Sequence, residues 1–351
     1  MTRRIPLHAL ALAAAALAPP AAAEPQVSWS AVGQAAGSWA NRTEPGAGRW
    51  DAFAGYQLEG TAEDVSDSGI TYGATAKVGS GDYEESGQRP GNNAKLTVNE
   101  AYLFAVTAYG RFRLGDEDGA ADRAVDVLPT LVGGQMSGFW TEAAAVAPPA
   151  GYLGRDSDDA TKIFYETPDA LPVTLGVSYA PKRKSLVEDI EDPSDIAPED
   201  DFLELALGYR GEAGPWTYEL GLAWNRAEAG RPGLKDTEAV TLAGLATYGG
   251  FSVGAAWFDN GRSGRAKGAP GGDTGGLTVQ GTYENGPYGL TLFWHGSEVE
   301  RVVDYEARGL GLSWRVAEAV TLGADLVHWK AKEPAGRSDG LVALGVVEVS
   351  F

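Results

Sequence analysis

The chain has 351 residues, with 28 Lys and Arg against 48 Asp and Glu and a net charge of −20; a general nucleic-acid binder is disfavoured, because phosphate contacts need clustered bases. It contains no cysteine, which removes disulfide scaffolds, thiolate metal sites and cysteine nucleophiles, and its three histidines (His8, His295, His328) leave little for imidazole catalysis. Glycine stands at 48 residues, about twice usual usage, and with 10 Trp and 14 Tyr it points to β-structure with tight turns.

Residues 1–23 begin with Arg3 and Arg4, continue with an apolar run from Leu7 to Ala18 and end on Ala21-Ala22-Ala23. That order of charged, apolar and small residues is a cleavable secretory signal. A membrane anchor needs about 20 apolar residues, and this run stops at Pro19-Pro20. The mature chain, residues 24–351, would carry −22, because Arg3 and Arg4 leave with the signal. No later apolar stretch is long enough for a membrane helix, so a membrane role has to come from strands.

Trp216, Tyr218, Leu220, Leu222 and Trp224 alternate with polar or small residues, a period of two with one apolar face. Aromatics close that face at both ends, about 26 Å apart along a strand and roughly 20 Å along a membrane normal after tilting. Alternating segments recur at Val27–Trp39, Arg49–Gly60, Ile70–Val78, Lys95–Thr107, Arg111–Gly115, Thr161–Thr167, Val173–Tyr179 and Asp201–Arg210. They continue at Trp216–Asn225, Glu238–Thr247, Phe251–Phe258, Gly276–Tyr283, Tyr288–Gly296, Tyr305–Arg315, Val320–Trp329 and Leu341–Phe351. The sixteen strands are joined by connections that alternate in length. Tight ones fall at 108–110, 168–172, 211–215, 248–250, 284–287 and 316–319, and long polar ones at 79–94, 116–160, 180–200, 226–237, 259–275 and 331–340. The first turn, 61–68, reads longer than the other tight ones. A soluble sandwich has no reason to sort its loops in this way. An outer-membrane barrel does, with short periplasmic turns and long outer loops, and its closure pairs every backbone amide in lipid. The expected fold is all-β, a 16-stranded antiparallel transmembrane β-barrel.

The last strand places Leu341, Ala343, Gly345, Val347, Val349 and Phe351 on one face, which resembles the carboxyl-terminal signature of outer-membrane proteins. Asn99-Glu100-Ala101-Tyr102-Leu103 and the stretch from Tyr109 to Ala120 resemble the fourth and fifth strands of Gram-negative general porins of the alphaproteobacterial type. Lys162 to Pro168 and Gly176 to Pro181 are similar to that family's sixth and seventh strands. The resemblance implies a barrel over 24–351, a homotrimer in outer-membrane lipid and lipopolysaccharide, and a third long loop, here 116–160, folded inward to narrow the lumen.

That connection carries nine acids (Asp116, Glu117, Asp118, Asp122, Asp126, Glu142, Asp156, Asp158, Asp159) against Arg123 and Arg155. Strand parity places Arg49, Lys77, Lys95, Arg111 and Arg113 on the lumen side, since Trp50, Tyr72, Leu96, Phe112 and Leu114 take the lipid side. Acids Asp116, Glu117, Asp118, Asp122 and Asp126 facing those bases would set up a transverse field that orients solutes and selects ions; the same charges would also serve to solvate a wet lumen. His295 and His328 lack the companions of a metal site, and no nucleophile elbow is present. The acids Glu188, Asp189, Glu191, Asp192, Asp195, Glu199, Asp200 and Asp201 offer hard oxygens for Ca²⁺ but lack ordered loop spacing, so a solvated acidic loop fits them better; no other cofactor is implied. The expected function is passive, cation-preferring diffusion of ions and small hydrophilic solutes through a water-filled channel, without enzymatic chemistry. A sugar-selective channel would need an aromatic track, for which Phe164, Phe258, Phe293 and Trp329 have lumen parity. A barrel enzyme or adhesin is the reading from another class.

Overall fold

The computed structural model describes residues 25–43, 48–80, 96–134, 138–168, 170–185 and 199–351. Its strands are β1 (Gln26–Ala40), β2 (Trp50–Val65), β3 (Thr71–Ser80), β4 (Leu96–Thr107), β5 (Gly110–Asp116), β6 (Thr161–Glu166), β7 (Val173–Lys182) and β8 (Asp200–Ala213). They continue with β9 (Trp216–Glu228), β10 (Thr237–Tyr248), β11 (Phe251–Gly261), β12 (Thr274–Asn285), β13 (Tyr288–Val299), β14 (Val303–Ala317), β15 (Val320–Glu333) and β16 (Gly336–Ser350). Two short helices, α1 (Ala120–Val125) and α2 (Trp140–Ala143), lie between β5 and β6.

Each strand pairs antiparallel with its sequence neighbour, and β1 closes on β16 into a barrel. The closing register runs from Val32 opposite Ser350 to Ala40 opposite Val342. Closure leaves no unpaired edge, which is what a sheet in hydrocarbon requires. The outward face carries Leu220, Leu222, Leu242, Leu292, Leu310, Leu312 and Leu326, all exposed; on a lipid-facing wall this is the ordinary place for them. At the short-turn end, Trp216 meets Tyr248 at 5.1 Å, Phe251 meets Tyr283 at 4.3 Å and Tyr288 meets Trp314 at 6.3 Å. These rings form part of the aromatic belt expected at a membrane interface. Gly214, Gly249 and Gly286 turn the hairpins there with positive φ (62°, 57°, 59°), a conformation that two-residue turns demand and glycine supplies without strain.

Two expected connections differ from the structure. The long first turn shrinks, because β2 continues to Val65 and pairs with Thr71. The connection at 331–340 is a tight hairpin, since β15 and β16 pair as far as Glu333 opposite Gly336. Past Trp329 the outward positions are Lys330, Lys332, Arg337 and Asp339. There the apolar alternation ends although the ladder continues. Strand and lipid band have different lengths, and sequence periodicity reports only the second.

Candidate functional site: the inner loop

From the end of β5 the chain does not leave the barrel. The hydroxyl of Ser178 on β7 accepts from the Ala120 amide at 3.0 Å, Gln280 on β12 donates to the Pro129 carbonyl at 2.6 Å, and the Gly134 amide donates to Asp325 on β15. On the way back, Asn225 on β9 donates to the Arg155 carbonyl and Asn260 on β11 accepts from its amide at 2.8 Å. Ser178, Asn225, Gln280 and Asp325 have the parity opposite to the lipid-facing residues of their strands. The described residues of 117–160 thus lie against the inward wall from β6 round to β16.

Glycines make the seat. A Cβ at Gly221 would overlap the Ala124 carbonyl, at Gly254 the Leu128 side chain, at Gly289 the Leu131 side chain, at Gly311 the backbone of Gly134 and at Gly323 the Val132 carbonyl. Removing the side chains of β9, β11, β13, β14 and β15 at these points lets the loop lie flush on the wall. Beyond its tip, Trp140 packs at 6.1 Å on Phe293, within a buried cluster that includes Tyr305, Val327, Trp329 and Val342. Phe164, Phe258, Phe293 and Trp329 are each 5 % exposed or less. Covered in this way, they are a core between loop and wall, not an aromatic track open to a passing sugar.

The strand bases do not form an unpaired wall. Lys77 pairs with Glu100, which faces it across β3 and β4. Arg111 lies 3.8 Å from Glu166, its register partner on β6. Arg113 pairs with Glu117, its guanidinium 5.0 Å from the Tyr102 ring and 5.4 Å from that of Phe164. Arg49 stands exposed just before β2, its carbonyl accepting from the Ala40 amide at 2.9 Å. It precedes Glu59, the partner of Lys77, by ten residues, about 33 Å along the strand, and so does not join the others. Lys95 lies outside the described residues. Cross-strand register, which parity does not supply, makes Glu100 and Glu166 the partners of Lys77 and Arg111.

The acids divide likewise. Asp116 is buried and accepts from the hydroxyls of Thr161 and Ser185, a structural end to β5. Glu117 is bound to Arg113 and accepts from Lys162 through its carbonyl. Asp118, Asp122 and Asp126 recur at four-residue spacing along α1 and its flanks, and none of them makes an ion pair among the described residues. Asp126 is exposed and accepts from the Tyr152 hydroxyl at 2.8 Å. Burial, with the carboxylates of Asp156, Asp118 and Asp126 nearby, pushes Asp122 well up.

The return limb brings further charged residues to the site, among them Asp156 and Asp159 of the nine loop acids, and meets Glu100 and Glu204 on the wall, which the sequence did not single out. Carboxylate oxygens of Glu100, Asp118 and Asp159 lie within 4.8 Å of one another, close enough to share a proton or a cation. Burial, then Asp118, Glu100 and Asp158, raises Asp159 to about 9. Burial, then Asp158 and Glu204, raises Asp156 to about 7 against the pull of Arg183. Arg155 holds Glu199 through two bonds of 3.0 and 2.9 Å. The one available signal was a charged residue in an inward strand slot, as at Glu204 and Asp325. Of the acids offered for Ca²⁺, 188–195 lie outside the described residues, while Glu199 meets Arg155, Asp200 meets Lys182 at 3.2 Å and Asp201 meets Tyr179.

A closed barrel with a lipid-facing belt and a chain segment folded across its interior defines a membrane channel. The sequence model of the Gram-negative porins matches residues 9–347, and the chain belongs to that family: it is an outer-membrane porin. Solved structures of engineered variants of Rhodopseudomonas blastica porin share the fold. One aligns with a TM-score of 0.63 at 16 % identity over 93 % of this chain and 100 % of that one, and a triple mutant with 0.61 at 18 % over the same shares. No curated protein sequence matches the chain. Family and fold are those of a channel.

Proposed function

We propose that residues 117–160 constrict the channel and give it a preference for cations, for passive passage of ions and small hydrophilic solutes. The observation that carries this reading is the unequal pairing of charge. Lys77, Arg111, Arg113 and Arg155 each have a carboxylate within 4.0 Å, whereas on and beside α1 three acids, Asp118, Asp122 and Asp126, against the single base Arg123, make no ion pair among the described residues. Ionised carboxylates in a narrow, low-dielectric passage raise the local cation concentration, and Asp122 and Asp126, both pushed up by burial, add to that charge as pH rises. The mature protein, residues 24–351, acts as a homotrimer among outer-membrane lipids, as the family resemblance implies. Reversal potentials in a KCl gradient test the reading. The sign for cations is expected, and replacing Asp118, Asp122 and Asp126 together by Asn brings the potential toward zero. Anion selectivity, or a triple variant indistinguishable from the parent, removes the proposed constriction.

A further inference from the structure

Glu204, on the inward face of β8, is 0 % exposed and touches both roots of the inner loop. Its Oε2 accepts from the Ala121 amide at 3.1 Å and from the Ser178 hydroxyl at 2.7 Å. Its Oε1 accepts from the Ser157 amide at 2.7 Å. Ala121 lies in the first turn of α1, just after the loop leaves β5. Ser157 lies just before the chain re-enters the wall as β6. The 35 residues between them are therefore held at both ends by one carboxylate. Ser178 extends the contact, since its oxygen also accepts from the Ala120 amide. Gly119 is fitted to the same group, as a Cβ there would overlap the Glu204 carboxylate.

We propose that Glu204 is the positioning residue of the inner loop, a clamp that fixes both roots and so sets the aperture without itself lining it. The statement about aperture rests on the reading of 117–160 as the constriction. Other anchors hold one point each: Asp325 the tip, Gln280 the outward limb, Glu199 the return through Arg155. Glu204 couples departure to return from β8 through two backbone amides, and Lys162 joins the same roots from β6 through the Glu117 and Asp158 carbonyls. Hydrogen bonds to an ionised carboxylate are shorter and stronger than neutral ones, and losing this one orphans two buried backbone amides.

Hydrogen–deuterium exchange and single-channel recording on the folded, purified protein test the clamp. In Glu204→Ala, exchange at 119–123 and at 156–159 is expected to accelerate by about ten- to a hundredfold, the range that follows from losing a bond to a buried charged acceptor. Glu204→Gln keeps one acceptor oxygen and should free one root only. Both variants should show raised conductance and noisier open-channel current. The chain has no cysteine, and an ideal Cβ at Gly176 lies 3.2 Å from that of Ala120, just short of the disulfide range. An Ala120→Cys, Gly176→Cys bridge should therefore quiet the Glu204→Ala channel, which a general loss of barrel stability would not allow. Unchanged exchange, or acceleration at one root alone in Glu204→Ala, overturns the clamp. Accelerated exchange at both roots with parental conductance upholds the clamp and removes the constriction reading instead. Should Glu204→Ala not assemble, Ser178→Ala removes one donor and should give a smaller change in the same direction at 119–123; no change there overturns the proposal.

Discussion

Asp156 and Asp159 give the inner loop a pH dependence in a range where ordinary carboxylates have none. Burial and neighbouring acids hold them at about 7 and about 9. Each is neutral below that value and negative above it, so negative charge beside the passage grows as pH rises from 6 to 10. Cation preference should rise in two steps over that interval and fall on acidification, measured as reversal potential in a fixed KCl gradient. Asp156→Asn should weaken the lower step, to which the neighbouring Asp122 also contributes, and Asp159→Asn the upper; a flat profile above pH 6 contradicts the assignment. The two arginines of β5 should part company as well. Arg111→Ala frees Glu166, which reaches water, and should strengthen cation preference at a smaller cost in stability than loss of a fully buried pair. Arg113→Ala strands Glu117, 1 % exposed, and breaking a buried pair costs about 3–5 kcal/mol. The root of the loop should then loosen, read as faster exchange at 117–123, while thermal unfolding of the strands stays near that of the parent.

The glycines beneath the loop act together as one element. Each of Gly221, Gly254, Gly289, Gly311 and Gly323 faces a loop atom that a Cβ would overlap. Overpacking at such a contact typically costs about 1–3 kcal/mol, and here it falls on the docking of the loop rather than on the barrel ladder. Gly311→Val should lift the tip, raise conductance and expose the 131–134 segment to protease, leaving the barrel heat-modifiable on electrophoresis; the same change at Gly345, whose Cβ would meet open space, should do none of this. The strands were legible because lipid imposes a period of two on each of them, as in Trp216–Trp224. The length and place of the inner loop were legible for the same reason. Its seat was not. A glycine that receives distant backbone, as Gly323 receives the Val132 carbonyl, looks in sequence like any other glycine in a turn-rich chain, and the pairing of Arg111 with Glu166 appears only once β5 and β6 are in register.

At the scale of the whole molecule, one seam turns a row of hairpins into a barrel. Fifteen of the sixteen pairings join strands adjacent in sequence, whereas β1 with β16 joins residues more than 300 apart, so the loop-closure entropy of the whole chain falls on this one contact. It is finished at Phe351. The Phe351 amide donates to the Ala31 carbonyl at 2.8 Å and the Ala31 amide to the Phe351 carbonyl at 3.1 Å, while the ring is 81 % exposed on the outside. The backbone of Phe351 locks the seam and its side chain extends the aromatic belt. Deleting Phe351 removes both hydrogen bonds and the ring. Replacing it with Ala retains the bonds. If the seam is the last and costliest pairing, the deletion should sharply lower the yield of heat-modifiable barrel in outer-membrane fractions, with the Ala variant intermediate. An equal deletion at the exposed Ala335, in the β15–β16 turn, should leave the yield near the parental level. Equal yields for the Phe351 deletion and the Ala335 deletion would show that closure does not depend on this residue.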